Sequence, residues 1–203
     1  MIIEPSEEAK APVERHGPYL VAGLGNPGRD FENNRHNVGF MLLNRLAARF
    51  GERFGQVESK ALVCKVSYLG ERTILVKPQA YMNRSGMPVS AILRFYKVPL
   101  ENLLVAYDDV DLPLGTLRMR PIGSSAGQKG MQSIIERLGT EEFPRLRIGT
   151  GRPPGKKEAA DYVLEDFPAE ESQLLDETLD RAVQAVLTFL EFGLERAMNL
   201  YNG

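Results

Sequence analysis

A strand that runs into glycines but not into a helix limits this chain more than any other feature. Tyr19 to Ala22 reads as an apolar strand, Gly23, Gly25 and Gly28 follow, and the chain then stays polar as far as His36 and Asn37. Strand, glycine turn and polar loop is the way α/β folds build sites at the ends of their sheets. The glycines also spell G-x-G-x-x-G, the dinucleotide-binding fingerprint. That fingerprint works only where a helix opens at the glycines, because its free N–H groups and dipole meet the pyrophosphate. Here Arg29 to Asn34 carry no apolar period, helical spacing resumes at Val38, Met41, Leu42, Leu46 and Phe50, and Pro27 removes one amide. A nucleotide-dependent oxidoreductase is therefore disfavoured, and a tight turn without a ligand stays open.

The 203 residues, 43% of them hydrophobic, suit one compact domain with a core. Residues 1–18 are rich in Glu, Ala, Lys and Pro without any period, and are expected to form a flexible leader to a domain spanning residues 19–203. Cys64, the single cysteine, shares one face of an alternating run with Leu62 and Val66. Neither disulfides nor a thiolate metal site is expected, in keeping with a reducing cytosol. No apolar run of about 18 residues occurs and the N-terminus lacks a secretory core, so a cytoplasmic protein without a membrane segment is expected.

Beyond the glycine loop, a helix from Asn37 to Phe50 is expected to stop at Gly51, a residue suited to the left-handed cap. Alternating runs from Ala61 to Tyr68 and from Arg72 to Lys77, around Gly70, read as an antiparallel hairpin. Pro78 closes the second of these and opens the polar loop PQAYMNRSGMPV, before a short helix from Pro88 to Tyr96. An apolar strand, Leu103 to Tyr107, leads into Asp108, Asp109 and Asp111. Acids in that place are either turn formers or site residues, and turns are favoured for Asp109 and Asp111. A strand from Gly115 to Pro121, a small-residue loop from Gly123 to Gly130, a helix from Met131 to Leu138, a strand from Arg145 to Thr150 and a long amphipathic helix from Ala169 to Phe192 complete the chain. Helices interspersed with strands and one hairpin indicate an α/β fold, a single-domain three-layer α/β/α sandwich with a mixed, twisted β-sheet.

Charge is unevenly placed. Between Gly115 and Lys157 nine basic residues stand against three acids, whereas from Glu158 to Gly203 eleven acids stand against two arginines. A basic segment in a chain of formal net charge −2 suggests a polyanion met on one face, not a general DNA coat. Histidine is the side chain that ordinarily titrates near neutral pH. Of the two in this chain, His16 lies in the leader and His36 in the loop after the glycines. Standing alone, His36 could equally be a hydrogen bonder beside a helix start, Asn26 and Asn83 could be turn formers, and Met82 could belong to the core.

Five blocks carry a resemblance. GLGNPG (Gly23 to Gly28), RHNVGF (Arg35 to Phe40), KPQAYMNRSG (Lys77 to Gly86), YDDVDLPLG (Tyr107 to Gly115) and FPRLRIGTGRP (Phe143 to Pro153) together resemble bacterial peptidyl-tRNA hydrolases, in that family's order and over nearly everything after Pro18. The resemblance implies a monomeric α/β/α enzyme without metal or other cofactor. Its implied reaction is hydrolysis of the ester joining a peptide to the 3′ ribose of tRNA, which rescues tRNA from aborted translation. The implied partner is peptidyl-tRNA, with no DNA and no membrane. His36 is implied as the general base that activates water, a role worth about 10² to 10⁴ in rate, and Asp108 as the acid that orients its ring. Asn26, Phe31, Tyr81, Met82, Asn83 and Lys129 are implied to bind substrate, and Arg118, Arg120 and Arg147 to meet tRNA phosphate. An amide such as Asn26 or Asn83 both donates and accepts, so it reads a peptide backbone without charge.

The chain departs from the family pattern at one point. Members usually read GGHNG where this chain has Gly127, Gln128, Lys129 and Gly130. The customary Asn helps hold substrate and water, a role that does not transfer to lysine, which has donors but no acceptor. A catalytically weak RNA-binding relative, akin to splicing cofactors of plastids, is the competing reading. The presence of His36, Asp108 and Asn26 counts against it.

Overall fold

The structure, a computed structural model, describes residues 17–153 and 155–203; all but the last two residues of the expected leader lie outside them. Its elements in chain order are β1 (Tyr19–Gly23), α1 (Val38–Arg49), β2 (Gln56–Glu58), β3 (Ala61–Tyr68), β4 (Glu71–Pro78), α2 (Gly86–Phe95), β5 (Leu103–Asp109), β6 (Leu117–Ile122), α3 (Lys129–Leu138), β7 (Glu142–Gly149), α4 (Ala159–Tyr162) and α5 (Ser172–Tyr201). The strands form one seven-stranded sheet in the order β2-β3-β4-β1-β5-β7-β6. β1 runs parallel to β4 and β5, and β5 parallel to β7, while β3 pairs antiparallel with β4 and β6 with β7. The mixed sheet of the expected α/β/α sandwich is therefore a parallel centre with antiparallel margins.

Side-chain alternation divides the core between the two faces of this sheet. Val21, Leu75, Leu104, Ala106, Leu146 and Ile148 pack beneath α1 and α5, against Leu42, Leu46, Ala182, Val186 and Leu190. Leu20, Ala22, Ile74, Val76, Leu103 and Val105 point the other way, against Val89, Ile92, Met131 and Ile134 of α2 and α3. β5 lies in the middle of the sheet with all seven residues buried, so it reads as a continuous apolar run that ends in two acids.

Local signals set most boundaries. α1 ends before Gly51 at φ 71° and α3 before Gly139 at φ 76°, the left-handed caps that glycine accepts most readily. Two expectations are corrected. β5 continues through Asp108 and Asp109, so these acids are the last residues of a strand. α3 opens at Lys129, two residues early, because the Gln128 side chain caps it. The expected end of the last long helix at Phe192 holds, because Gly193, at φ 81° and ψ 176°, leaves helical geometry, and a further helical segment then runs as far as Tyr201. The extra turns return Ala197 to the core and bring Asn202 to the edge of β6, where it bonds the Met119 backbone. β2 and the four-residue α4 had no periodic signal to announce them.

Candidate active site

The parallel strands β4, β1 and β5 all point their carboxyl ends to one edge of the sheet, and the strand order reverses at β1. A cleft of about 510 Å³ opens there. Its walls come from the glycine turn (Asn26), the turn before α1 (His36), the loop after β4 (Tyr81, Met82, Asn83), the end of β5 (Tyr107 to Asp111), the start of α3 (Ser125 to Lys129) and α4 with its following turn (Ala159, Ala160, Val163, Leu164).

Of the glycines that imitate a nucleotide fingerprint, Gly23 and Gly25 serve packing, while Gly28, at φ 116°, serves the turn. A side chain on Gly39 in α1 would meet Leu24 N at 2.5 Å and Ala106 O at 2.6 Å, and one on Gly23 would strike the Gly39 carbonyl. Only hydrogen at both positions lets α1 lie directly on β1 and β5. That close approach carries the turn Arg35–Asn37 to the end of β5. Asn37 secures the junction: its Oδ1 accepts from Asn26 N at 2.8 Å and its Nδ2 donates to Asn26 O at 2.9 Å.

At the base of the cleft His36 Nδ1 lies 2.8 Å from Asp108 Oδ2. The Asp108 residue is 4% exposed, and the His36 side chain 12%. A carboxylate can only accept, so Nδ1 donates to it, and in the neutral ring the lone pair belongs to Nε2. The opposite oxygen, Asp108 Oδ1, accepts from Gln128 Nε2 at 3.0 Å. Nearby, Asn26 Oδ1 accepts from Met82 N at 2.9 Å, which fixes the amide and leaves its Nδ2 without a partner among the described residues. A free donor on a lining residue is what a carbonyl oxygen in the cleft requires.

The other expected substrate contacts divide. Tyr81, 67% exposed, and Asn83 stand at the mouth, buried Met82 forms part of the wall, and Lys129 lies exposed on the rim as the first residue of α3. Phe31 is not among the lining residues; it sits in the short turn after the glycines and packs near Gly28. Tyr107, unforeseen as a lining residue, is buried, and burial pushes its phenol up from its ordinary range.

A second set of residues escaped the sequence reading. Arg35, 3% exposed, reaches the Asp166 carbonyl at 2.6 Å and the Glu171 carboxylate at 2.8 Å, and its guanidinium lies 4.2 Å from the centre of the Tyr162 ring. His36 N donates to Val163 O at 2.8 Å and Arg35 N to Glu165 O at 3.0 Å. These bonds fasten the α4 segment over the histidine. The only sequence signal was an arginine beside a histidine and a cluster of acids far along the chain, each of which alone reads as solvated charge.

The basic segment resolves into one face of two strands. In the β6–β7 register Arg118 stands opposite Arg147 and Arg120 opposite Arg145. Arg145 is 1% exposed and gives its guanidinium to the carbonyls of Gly123 and of Glu141, a structural role that burial makes costly enough to draw its pKa down. Arg147 Nε pairs with the Asp109 carboxylate, which lines the cleft. Arg118 and Arg120 have no ion-pair partner among the described residues. The three arginines expected to meet phosphate thus lie together, outside the cleft and joined to it through Asp109.

Among the described residues no helix is long and apolar enough to cross a membrane, and no group of three or more His, Cys, Asp or Glu side chains converges as a metal site. A family model described as "Peptidyl-tRNA hydrolase" matches residues 20–203. A protein of that name from Thermoanaerobacter sp. (strain X514) is 48% identical over 185 residues, covering 91% of this chain and 100% of the relative. Another from Chloroflexus aggregans is 49% identical over 185 residues, covering 91% and 98%. A crystal structure of a mutant peptidyl-tRNA hydrolase from Acinetobacter baumannii, 33% identical, superposes with a TM-score of 0.85 over 91% of this chain and 95% of that one.

Proposed function

The chain belongs to the peptidyl-tRNA hydrolase family, and on that premise we propose that it cleaves the ester between a peptide and the 3′ ribose of tRNA, with His36 as the base and Asp108 as its orienting acid. The observation that carries the assignment of roles is the 2.8 Å contact between His36 Nδ1 and Asp108 Oδ2, in a cleft that Asn26, with Nδ2 unpartnered among the described residues, also lines.

His36 Nε2 takes a proton from water as the water oxygen bonds to the ester carbonyl carbon. Negative charge then gathers on the carbonyl oxygen, where Asn26 Nδ2 donates; a donor so placed is worth about 3 kcal/mol. The resulting imidazolium is stabilised by the Asp108 carboxylate at its other nitrogen. When the bond from carbon to the 3′ oxygen breaks, the imidazolium returns its proton to that oxygen, releasing peptide acid and tRNA. In this reading Asn83 and Tyr81, at the mouth, meet the peptide, and Lys129, on the rim, meets substrate by its charge and not by contact with the base.

Arg118, Arg120 and Arg147 grip tRNA phosphate beside the cleft. Guanidinium suits bidentate phosphate contact, and an enzyme that accepts many tRNAs gains little from reading bases. In this reading residues 19–203 act as one catalytic unit and as a monomer on RNA, not DNA. The buried free thiol of Cys64 accords with a cytoplasmic setting. The weak RNA-binding alternative is not favoured, since His36, Asp108 and Asn26 converge on one cleft. Incubation with peptidyl-tRNA should release free peptide at a rate above spontaneous hydrolysis. RNA binding without release would return the weak binder to first place.

A further inference from the structure

Asp108 is the last residue but one of the interior strand β5, and its carboxylate is held from two sides. Oδ2 accepts from His36 Nδ1 at 2.8 Å and Oδ1 from Gln128 Nε2 at 3.0 Å. The other end of the same carboxamide, Gln128 Oε1, accepts from Met131 N at 2.8 Å and so caps α3. These partners fix the amide's orientation: one is a carboxylate that only accepts, the other a backbone N–H that only donates. Turning the amide over would set oxygen against oxygen and hydrogen against hydrogen. The third neighbour, Met82 Sδ, lies 3.4 Å from Nε2 and adds a weak acceptor on the same side.

We infer that Gln128 is a positioning residue for the hydrolysis. It ties the Asp108 carboxylate to the N-terminus of α3, so the carboxylate cannot rotate about its Cβ–Cγ bond without breaking hydrogen bonds on both sides. Oδ2 therefore stays aimed at His36 Nδ1, the ring proton stays on that nitrogen, and Nε2 is kept free for water. The role rests on the hydrolase reading given above.

Two substitutions separate this role from that of a helix cap. Gln128→Leu removes donor and cap together, so its effect includes any loosening of α3. Gln128→Glu keeps an oxygen to cap Met131 N and places an acceptor where the donor faced Asp108. At mildly alkaline pH, kcat of Gln128→Glu on peptidyl-tRNA should fall about tenfold with KM within about twofold, and the repulsion between the two carboxylates should lower the thermal midpoint, so the ring tautomer and the split between kcat and KM, not the midpoint, separate the roles. In protein carrying isotope-labelled histidine, with His16→Gln leaving His36 as the only signal, the imidazole spectrum should show the Nδ1-protonated tautomer. Gln128→Glu should turn it into a mixture of tautomers. Parent-like kcat and tautomer in Gln128→Glu would reduce Gln128 to a cap, and a raised KM with kcat kept would make it a substrate contact; either overturns the inference. The spectrum needs no substrate. If the unsubstituted protein releases no peptide, the hydrolase reading falls, while the spectrum still decides what Gln128 does.

Discussion

The cleft and the arginine face lie a few residues apart along β5 and β7, yet they handle charge in opposite ways. In the cleft, a nearly buried carboxylate is met on both oxygens by side chains of this chain, and the histidine it holds is held in turn through its own backbone. Burial of a carboxylate is tolerated because its hydrogen bonds are already made. On the β6–β7 face, arginines stand opposite arginines, and Arg118 and Arg120 have no counter-ion among the described residues. Like charges directly across a sheet oppose folding. The groups of the cleft are paired within the chain, whereas Arg118 and Arg120 are left for an anion to pair with in the proposed reading. Chemistry needs fixed geometry, and binding of a polyanion needs uncompensated charge.

The largest effect should break the cleft. His36→Ala should lower kcat by about 10² to 10⁴ while leaving the fold and tRNA binding nearly intact, because in the proposed mechanism the ring moves a proton, and it is not part of the core. Single-turnover release of peptide, beside circular dichroism and a tRNA-binding curve, reads both sides; turnover equal to the parent's ends the proposed mechanism. Asp108→Asn should cost less, about 10²-fold in kcat, since the imidazole remains but loses its acceptor-only partner. An unchanged rate would make Asp108 no more than the end of a strand.

The next effect should appear on the other side of the contrast. Arg120→Ala should raise KM for full-length peptidyl-tRNA about three- to tenfold, leave kcat nearly unchanged and flatten the salt dependence of KM, because fewer counterions are released. A short aminoacyl-ester fragment without the 5′ end should be cleaved as by the parent. Equal loss on the fragment would move Arg120 into the chemistry or the fold. The smallest effect is one of stability. Arg118→Thr, which relieves the repulsion with Arg147, should stabilise the free protein by about 0.2 to 1 kcal/mol in a denaturant titration, even as KM rises. A loss of stability would mean that the face is compensated in a way the cross-strand register does not reveal.

Much of this architecture could be read from the letters because its signals are local. The apolar run of β5, the hairpin around Gly70, and the stops at Gly51 and Gly139 each depend on neighbours within a few residues, through strand alternation, helical period and left-handed caps. His36 and Asp108 were legible as residue types in recognisable blocks. Their partnership was not, since 72 positions separate them and only the close approach of α1 to β1, through Gly23 and Gly39, brings Nδ1 to a carboxylate oxygen. The same limit hid Gln128. A glutamine before a helix can signal a cap, but nothing nearby says that its other end meets Asp108. Among the arginines of the basic segment, letters cannot separate Arg145, buried among carbonyls, from exposed Arg120. Charge is a property of one side chain. Whether it is neutralised, buried or left open to a ligand depends on which distant groups the folded sheet places around it.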